Sequence, residues 1–290
     1  MNSPDSPLVS VLMTAYNREK YIGEAIESVL ASSYADFELI IVDDCSTDST
    51  VAIARSYEAR DKRIKVFVNE KNLGDYVNRN EAAKFGSGKY LKYVDSDDLI
   101  YPYGLDVMVK AMEQFPDAAL GITSRNVIPY TPFPILLTPS EAYRKHFFEY
   151  GFLDYGPTGV IINASIFRAN GMFSGKRYIG DSECWFKIAA TNSVLELPPS
   201  LTFWRQHEGQ EMKIGHTTID EGYFIMNLPL LREVLSDKNC PLTEQQKKII
   251  LHKHQRIYSR ILIKHLVKTR EIKKVVGKFS ELKLSFMDLF

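Results

Sequence analysis

Between residues 8 and 94, strand-length apolar runs alternate with stretches of helical spacing, and few folds accommodate that order. Residues 8–15 (LVSVLMTA) form a nearly continuous apolar run, the pattern of a parallel strand covered on both faces. Tyr16-Asn17-Arg18 breaks it, and Ile22, Ala25, Ile26, Val29 and Leu30 then recur along one helical face. Residues 37–42 make a second strand ending at Asp43-Asp44. Residues 46–50 (STDST) offer N-caps to a helix carrying Val51, Ile53 and Ala54. A third strand (64–68), a loop with Gly74 (69–75), a helical stretch (76–85) stopped by Gly86-Ser87-Gly88, and a fourth strand from Tyr90 complete the series. The order βαβαβαβ predicts an α/β fold: a doubly wound, mostly parallel sheet with helices on both faces. Such sheets bind ligands beyond the carboxyl ends of their strands. Residues 14–17, Asp43-Asp44, the loop after Asn69 and the acids at 95–98 all fall at that edge.

The fourth strand runs straight into Asp95, Asp97 and Asp98, with only Ser96 between the first two. Three carboxylates in four residues repel one another and gain nothing from a core. A hard divalent cation would relieve that repulsion, and Mg2+ is typically held by one or two carboxylates plus substrate phosphates. The competing reading is an acidic turn leading into a helix N-terminus, where Asp is also favoured. No G-x-G-x-x-G fingerprint follows the first strand, and no G-x-x-x-x-G-K-[ST] loop occurs. The charge of a bound pyrophosphate would therefore be met by a metal on the acidic cluster, helped by Arg79.

Beyond residue 100 the pattern predicts a helix over 103–115, a strand near 119–124 and a proline-rich extended or edge segment over 128–139. A helix carrying Tyr143, Phe147 and Phe148 opens at Pro139 or Ser140, and a strand covers 158–163. Residues 180–183 (GDSE) precede a helix with Trp185 and Phe186 inside. A last strand runs over 201–205 and ends near His207. A helix over 220–235 is cut off by Pro241. Thr243 with Gln246 makes a capping box for a basic helix that places Ile250, Ile257 and Ile261 on one side.

Hydrophobic and charged shares of 45% and 25% are those of a globular chain. No apolar run approaches the roughly 18 residues of a membrane span, and the first seven residues read as no secretory leader. Cys45, Cys184 and Cys240 are too few and too scattered for a disulfide framework, which fits a reducing cytoplasm. The formal net charge of zero hides an asymmetry: residues 243–290 carry +8 and the rest −8. The basic tail has three readings: a solvated helix face, a peripheral helix at the inner surface of a membrane, or a homodimer contact through Ile250, Ile257 and Ile261. Nucleic acid is not expected, because the body is acidic and no recognised module is present.

Six stretches resemble the inverting family 2 glycosyltransferases with the GT-A nucleotide-sugar-binding fold. They are 11–22 (VLMTAYNREKYI), 39–50 (LIIVDDCSTDST), 72–82 (NLGDYVNRNEA), 90–102 (YLKYVDSDDLIYP), 180–188 (GDSECWFKI) and 204–209 (WRQHEG), in the family's order. The resemblance implies a GT-A domain over 1–215, with a nucleotide-binding half at 8–100 and an acceptor-binding half at 101–215, followed by a helical extension at 216–290. It implies that Thr14, Ala15 and Tyr16 frame the nucleobase and that Asp44 bonds the base or ribose. Asn72, Gly74 and Arg79 would close over the nucleotide, with Asp95 near the ribose. Asp97, with Asp98, would hold Mg2+ or Mn2+, Arg205 and His207 would approach the diphosphate or metal, and Asp181 matches the general base. Asn78, Gly180 and Ser182 depart from the family's usual neighbours at these positions.

The implied reaction moves a sugar from a nucleotide donor, a UDP-sugar, to a hydroxyl of a glycan or lipid-linked acceptor. One base opposite the leaving group implies a single displacement with inversion, and no second carboxylate nucleophile is required. Two alternatives stand beside it. A sugar nucleotidyltransferase would want a Gly-rich basic loop after the first strand, and Tyr16-Asn17-Arg18-Glu19 is not one. A nucleotide-sugar-binding or scaffold protein would bind without turnover.

Overall fold

The computed structural model describes residues 7–124, 132–207, 219, 222–285 and 287. The chain divides into two compact units, Met1–Gln206 and His207–Phe290.

The first unit opens in the expected order: β1 (Val9–Ala15), α1 (Ile22–Leu30), β2 (Phe37–Asp43), α2 (Thr50–Glu58), β3 (Ile64–Val68), α3 (Asp75–Phe85) and β4 (Tyr90–Tyr93). β5 (Leu99–Ile100), α4 (Gly104–Gln114), β6 (Ala118–Thr123), β7 (Ile135–Leu137), α5 (Pro139–Arg144), β8 (Val160–Asn163), α6 (Ala164–Ala169), α7 (Gly180–Ala189), β9 (Ser193–Leu197) and β10 (Thr202–Phe203) follow. Eight strands form one sheet in the order β3-β2-β1-β4-β8-β6-β9-β7. Neighbours β3, β2, β1 and β4 are parallel, as are β6 and β9, whereas β8 and β7 run antiparallel to their partners. The sheet is therefore mixed and mostly parallel. β5 and β10 make a separate antiparallel ribbon.

Alternation along β1 separates two layers, since successive side chains point to opposite faces. Val9, Val11, Met13 and Ala15 join α1 (Ile22, Ala25, Ile26, Val29) and α4 (Leu105, Met108, Met112) in one core. Ser10 points the other way. There the end of α3 comes so close that a Cβ on Gly86 would lie 2.9 Å from that of Ser10, and one on Gly88 only 2.5 Å from its backbone nitrogen. Close packing, rather than turn geometry alone, accounts for the two glycines that stop the helix. Ala15 pairs with Asp43 and Asp43 with Val68, so β1, β2 and β3 end level. β4 continues beside β1 through Val94, whose N–H donates to Leu12 O at 3.0 Å.

The later elements depart from expectation in instructive ways. The acidic turn leads into β5 rather than directly into a helix. The proline-rich segment contains edge strand β7, capped off from the next helix by Thr138 with Pro139 at its first position; residues 128–131 of that segment lie outside the described residues. The strand expected at 158–163 begins only at Val160, after a 3-10 turn (Pro157–Gly159). The last expected strand shrinks to the two residues of β10. β9, with Glu196 wholly buried in it, was not anticipated.

The second unit holds three helices among its described residues: α8 (Tyr223–Ser236), α9 (Glu244–Thr269) and α10 (Ile272–Glu281). The start expected for α8 at residue 220 lies outside the described residues. The Thr243–Gln246 capping box is present. Arg270, left-handed at φ 60°, ends α9 and separates α10 from it. Of the expected stripe only Ile250 is buried; Ile257 and Ile261 are exposed. No helix among the described residues is long and apolar enough to cross a membrane.

Candidate active site

The carboxyl edge of the sheet gathers the expected acids around α3. β4 delivers Asp95, whose N–H donates to Thr158 Oγ1 at 3.2 Å. A turn closed by Asp98 N–H to Asp95 O (2.9 Å) folds the chain back on itself, so that one oxygen from each of Asp95, Asp97 and Asp98 falls within 4.8 Å of the others. Each acid meets a different arginine. Arg79 Nη1 lies 2.5 Å from Asp95 Oδ1, and Arg18 Nε lies 3.0 Å from Asp97 Oδ2. Arg205 donates its backbone N–H to Asp98 Oδ1 (3.0 Å) and its Nε to Asp97 O (2.9 Å).

Asp98 is 2% exposed. Burial, then the charges of Asp95 and Asp97, push its carboxyl up to about 8. Lys92, wholly buried on β4, is pushed down to about 7 by burial, against the opposing pull of Asp95 and Asp98. Its amine donates to Tyr93 O and Thr158 O. Three converging hard oxygens, one of them pushed toward its protonated form by burial and then by its neighbours, are a donor set suited to a divalent cation.

The loop before α3 is held by Asp44. Its carboxylate accepts from Leu73 N–H (2.8 Å), Gly74 N–H (2.9 Å) and Asn69 Nδ2 (2.8 Å), while Asn72 Nδ2 donates to Asp44 O (3.3 Å). Gly74 then starts α3 at φ 86°, a conformation glycine adopts without strain. Asn78 is buried here. It accepts from Asn69 (2.9 Å) and donates to Val42 O (3.1 Å), which explains why a polar residue replaces a small one. Thr14 and Ala15 end β1, Ala15 O accepts from Asp44 N–H (2.8 Å), and the side chain of Tyr16 is exposed.

Asp181 lies in the first turn of α7 but is not its cap: Ile179 holds that position, and no side chain closes it. The Asp181 carboxylate accepts from Ser182 N–H at 2.8 Å and bonds to Tyr76. Burial, reinforced by the nearby charge of Asp154, pushes it up to about 7 even though hydrogen bonds and Arg79 pull the other way. Gly180 has a packing reason, because a Cβ there would lie 2.9 Å from the Tyr76 ring. Glu183 pairs with Lys176 at 2.9 Å, as a first-turn acid should. Trp185 is core, donating to Tyr155 O (2.8 Å), and Trp204 is half exposed.

α3 and the loop before it therefore link three parts of this edge. Gly74 before α3 is held by Asp44, Arg79 reaches Asp95, and Tyr76 reaches Asp181. His207 is the first residue of the second unit. Sequence reasoning passed over Arg18, Tyr76, Lys92 and Thr158. The only local signal for any of them was a lysine inside an otherwise apolar strand.

The family model described as glycosyl transferase family 2 matches residues 10–171, more than half of the chain. The chain belongs to glycosyl transferase family 2. Asp181 and Arg205 lie beyond the matched stretch. A Bacillus subtilis protein named as a teichuronic acid biosynthesis glycosyltransferase, TuaG, is 48% identical over 92 residues, which cover 32% of this chain and 36% of that protein. The match thus spans about a third of this curated relative's length. Among solved structures, S. aureus TarS 1-349 in complex with UDP-GlcNAc superposes with a TM-score of 0.64 at 22% identity, covering 97% of this chain and 77% of that one. The mannosyltransferase PcManGT from Pyrobaculum calidifontis, in complex with GDP-Man and Mn2+, gives 0.64 at 16% identity, covering 87% and 70%. These likenesses establish the fold of the family 2 member described here as GT-A.

Proposed function

We infer that this glycosyltransferase is metal-dependent and inverting, and moves a sugar from a nucleoside diphosphate donor to a hydroxyl of a glycan or lipid-linked acceptor. The observation that carries the reading is the convergence of Asp95, Asp97 and Asp98 at the strand edge, joined through α3 to Asp181. Asp97 and Asp98 would hold Mg2+ or Mn2+, and the assignment of His207 beside them rests on the resemblance alone. When bound, the cation supplies charge neutralisation for the departing diphosphate. TarS with UDP-GlcNAc and PcManGT with GDP-Man and Mn2+ support the donor class and the metal, with a UDP-sugar the first candidate. Residues 1–215 would form the catalytic domain and 216–290 an extension.

The chain's own residues divide the work. Thr14, Ala15 and Tyr16 border the nucleobase, and Asp44 sets the loop that brings Asn72 and Gly74 over the nucleotide. Arg79 and Arg205 place positive charge where the diphosphate departs, the kind of preorganised stabilisation that lowers a barrier most. Asp181 accepts the proton of the attacking hydroxyl. A carboxylate raised to about 7 is matched to that task, because a base works best with a pKa near the working pH. With a single base the displacement inverts the anomeric centre.

A panel of UDP- and GDP-sugars with Mn2+ tests the reading by donor hydrolysis and by transfer to acceptor glycans. One donor is expected to turn over, and Asp181→Asn is expected to bind UDP as the wild type does while transfer falls by about 10²-fold or more. Turnover of no donor alongside tight UDP binding, or wild-type transfer by the variant, would overturn it.

A further inference from the structure

We propose that the outer face of α9, continued by α10, docks on an anionic lipid bilayer surface. Ile249, Ile257, Ile261 and Val267 are 51%, 42%, 39% and 77% exposed. Lys253, Arg260, Lys264 and Lys268 are exposed between them. At about 100° per residue these eight side chains fall within one sector of about 120° of the helix. No Asp or Glu occurs between Glu244 and Glu271. The ion pairs of this unit run elsewhere among the described residues, from Lys247 to Glu244, from His265 and Lys274 to Glu271, and from Lys278 to Glu281. In α10, Ile272 and Val276 are 64% and 54% exposed one turn apart, with Lys273 exposed beside them.

Charge complementarity selects the occupant. A second copy meeting this face two-fold would set cation against cation across isologous contacts. A soluble polyanion would satisfy the cations and leave four branched aliphatic side chains in water. An anionic bilayer satisfies both sets, because headgroups receive the cations while the aliphatic side chains enter the interface. The helix lies on the surface rather than crossing it, since no described helix is long and apolar enough to span. This inference does not depend on the catalytic assignments above.

Flotation of the full chain with vesicles provides the test. Binding is expected to phosphatidylcholine–phosphatidylglycerol vesicles and not to pure phosphatidylcholine, and it should weaken as salt rises. Each cation near an anionic surface is worth roughly fivefold in partitioning, so Arg260→Gln with Lys264→Gln should lower it roughly 25-fold. Ile257→Gln with Ile261→Gln should lower it about tenfold or more while leaving binding to soluble heparin unchanged. Helical circular dichroism confirms that both variants fold. Three results would each overturn the proposal: no binding to anionic vesicles at low salt, wild-type binding by the isoleucine variant, or a wild-type dimer in sedimentation that the isoleucine variant dissociates.

Discussion

Asp181 shows how a single carboxylate is set by its surroundings. A first-turn position on a helix, beside the Ser182 N–H and within reach of Arg79, favours the charged form. Burial and Asp154 outweigh them, and the group is pushed up to about 7. In the proposed role of base it is active only when deprotonated, so kcat/KM is expected to rise from pH 6 to pH 8 and then level off. The same shift acts on stability with a definite sign. An unfolded aspartate releases its proton near pH 4, so between about pH 4 and 7 the folded chain binds more protons than the unfolded chain. Stability from this site therefore falls as pH rises through that window. Asp181→Asn, which cannot ionise, should accordingly gain in melting temperature relative to wild type between pH 5 and pH 8. An unchanged difference across that range would show that the carboxyl titrates normally. The sequence carried only the match of Asp181 to the general base; its raised pKa was not legible, because Tyr76 and Asp154 reach it only through the fold.

At the scale of elements, α3 is the piece on which the site turns, and Asp44 fixes where it begins. Asp44→Ala would leave the N–H groups of Leu73 and Gly74 without their acceptor. The expected loss is roughly 1–3 kcal/mol of stability in urea unfolding, because the two donors are half-buried and water offsets part of the roughly 1–3 kcal/mol that each would cost if fully buried. A loss under about 0.5 kcal/mol would mean that the loop is held by something else. The sheet's first half could be read directly because β1 and β2 are buried on both faces and spell nearly continuous apolar runs, Glu38 of β2 being buried against Ser10, Ser87 and Lys65. β9 could not, because the fourth of its five residues is Glu196, fully buried and paired to Lys145 at 3.0 Å. A charged residue in a strand window argues for surface until its partner, 51 residues away, is seen. Lys92, also buried, did not hide β4, because Tyr90, Leu91, Tyr93 and Val94 around it carry the strand pattern. The Thr243 cap of α9 is local chemistry and was legible. The burial of Ile250 but not Ile257 depends on what the helix meets along its length, and spacing cannot report that.

For the whole molecule, zero net charge conceals a −8 body carrying the acidic edge and a +8 tail. The body uses its carboxylates in concert: Asp95, Asp97 and Asp98 sit at one strand end, each beside an arginine from a different part of the chain. That arrangement makes sense if a cation and a diphosphate share the site. Isothermal titration of UDP into the full chain, with and without Mn2+, tests this most directly when repeated on Asp97→Asn. Mn2+ should tighten wild-type UDP binding by about tenfold or more and leave the variant nearly unaffected. UDP affinity that is the same with and without Mn2+, or a variant that responds to Mn2+ as the wild type does, would contradict it.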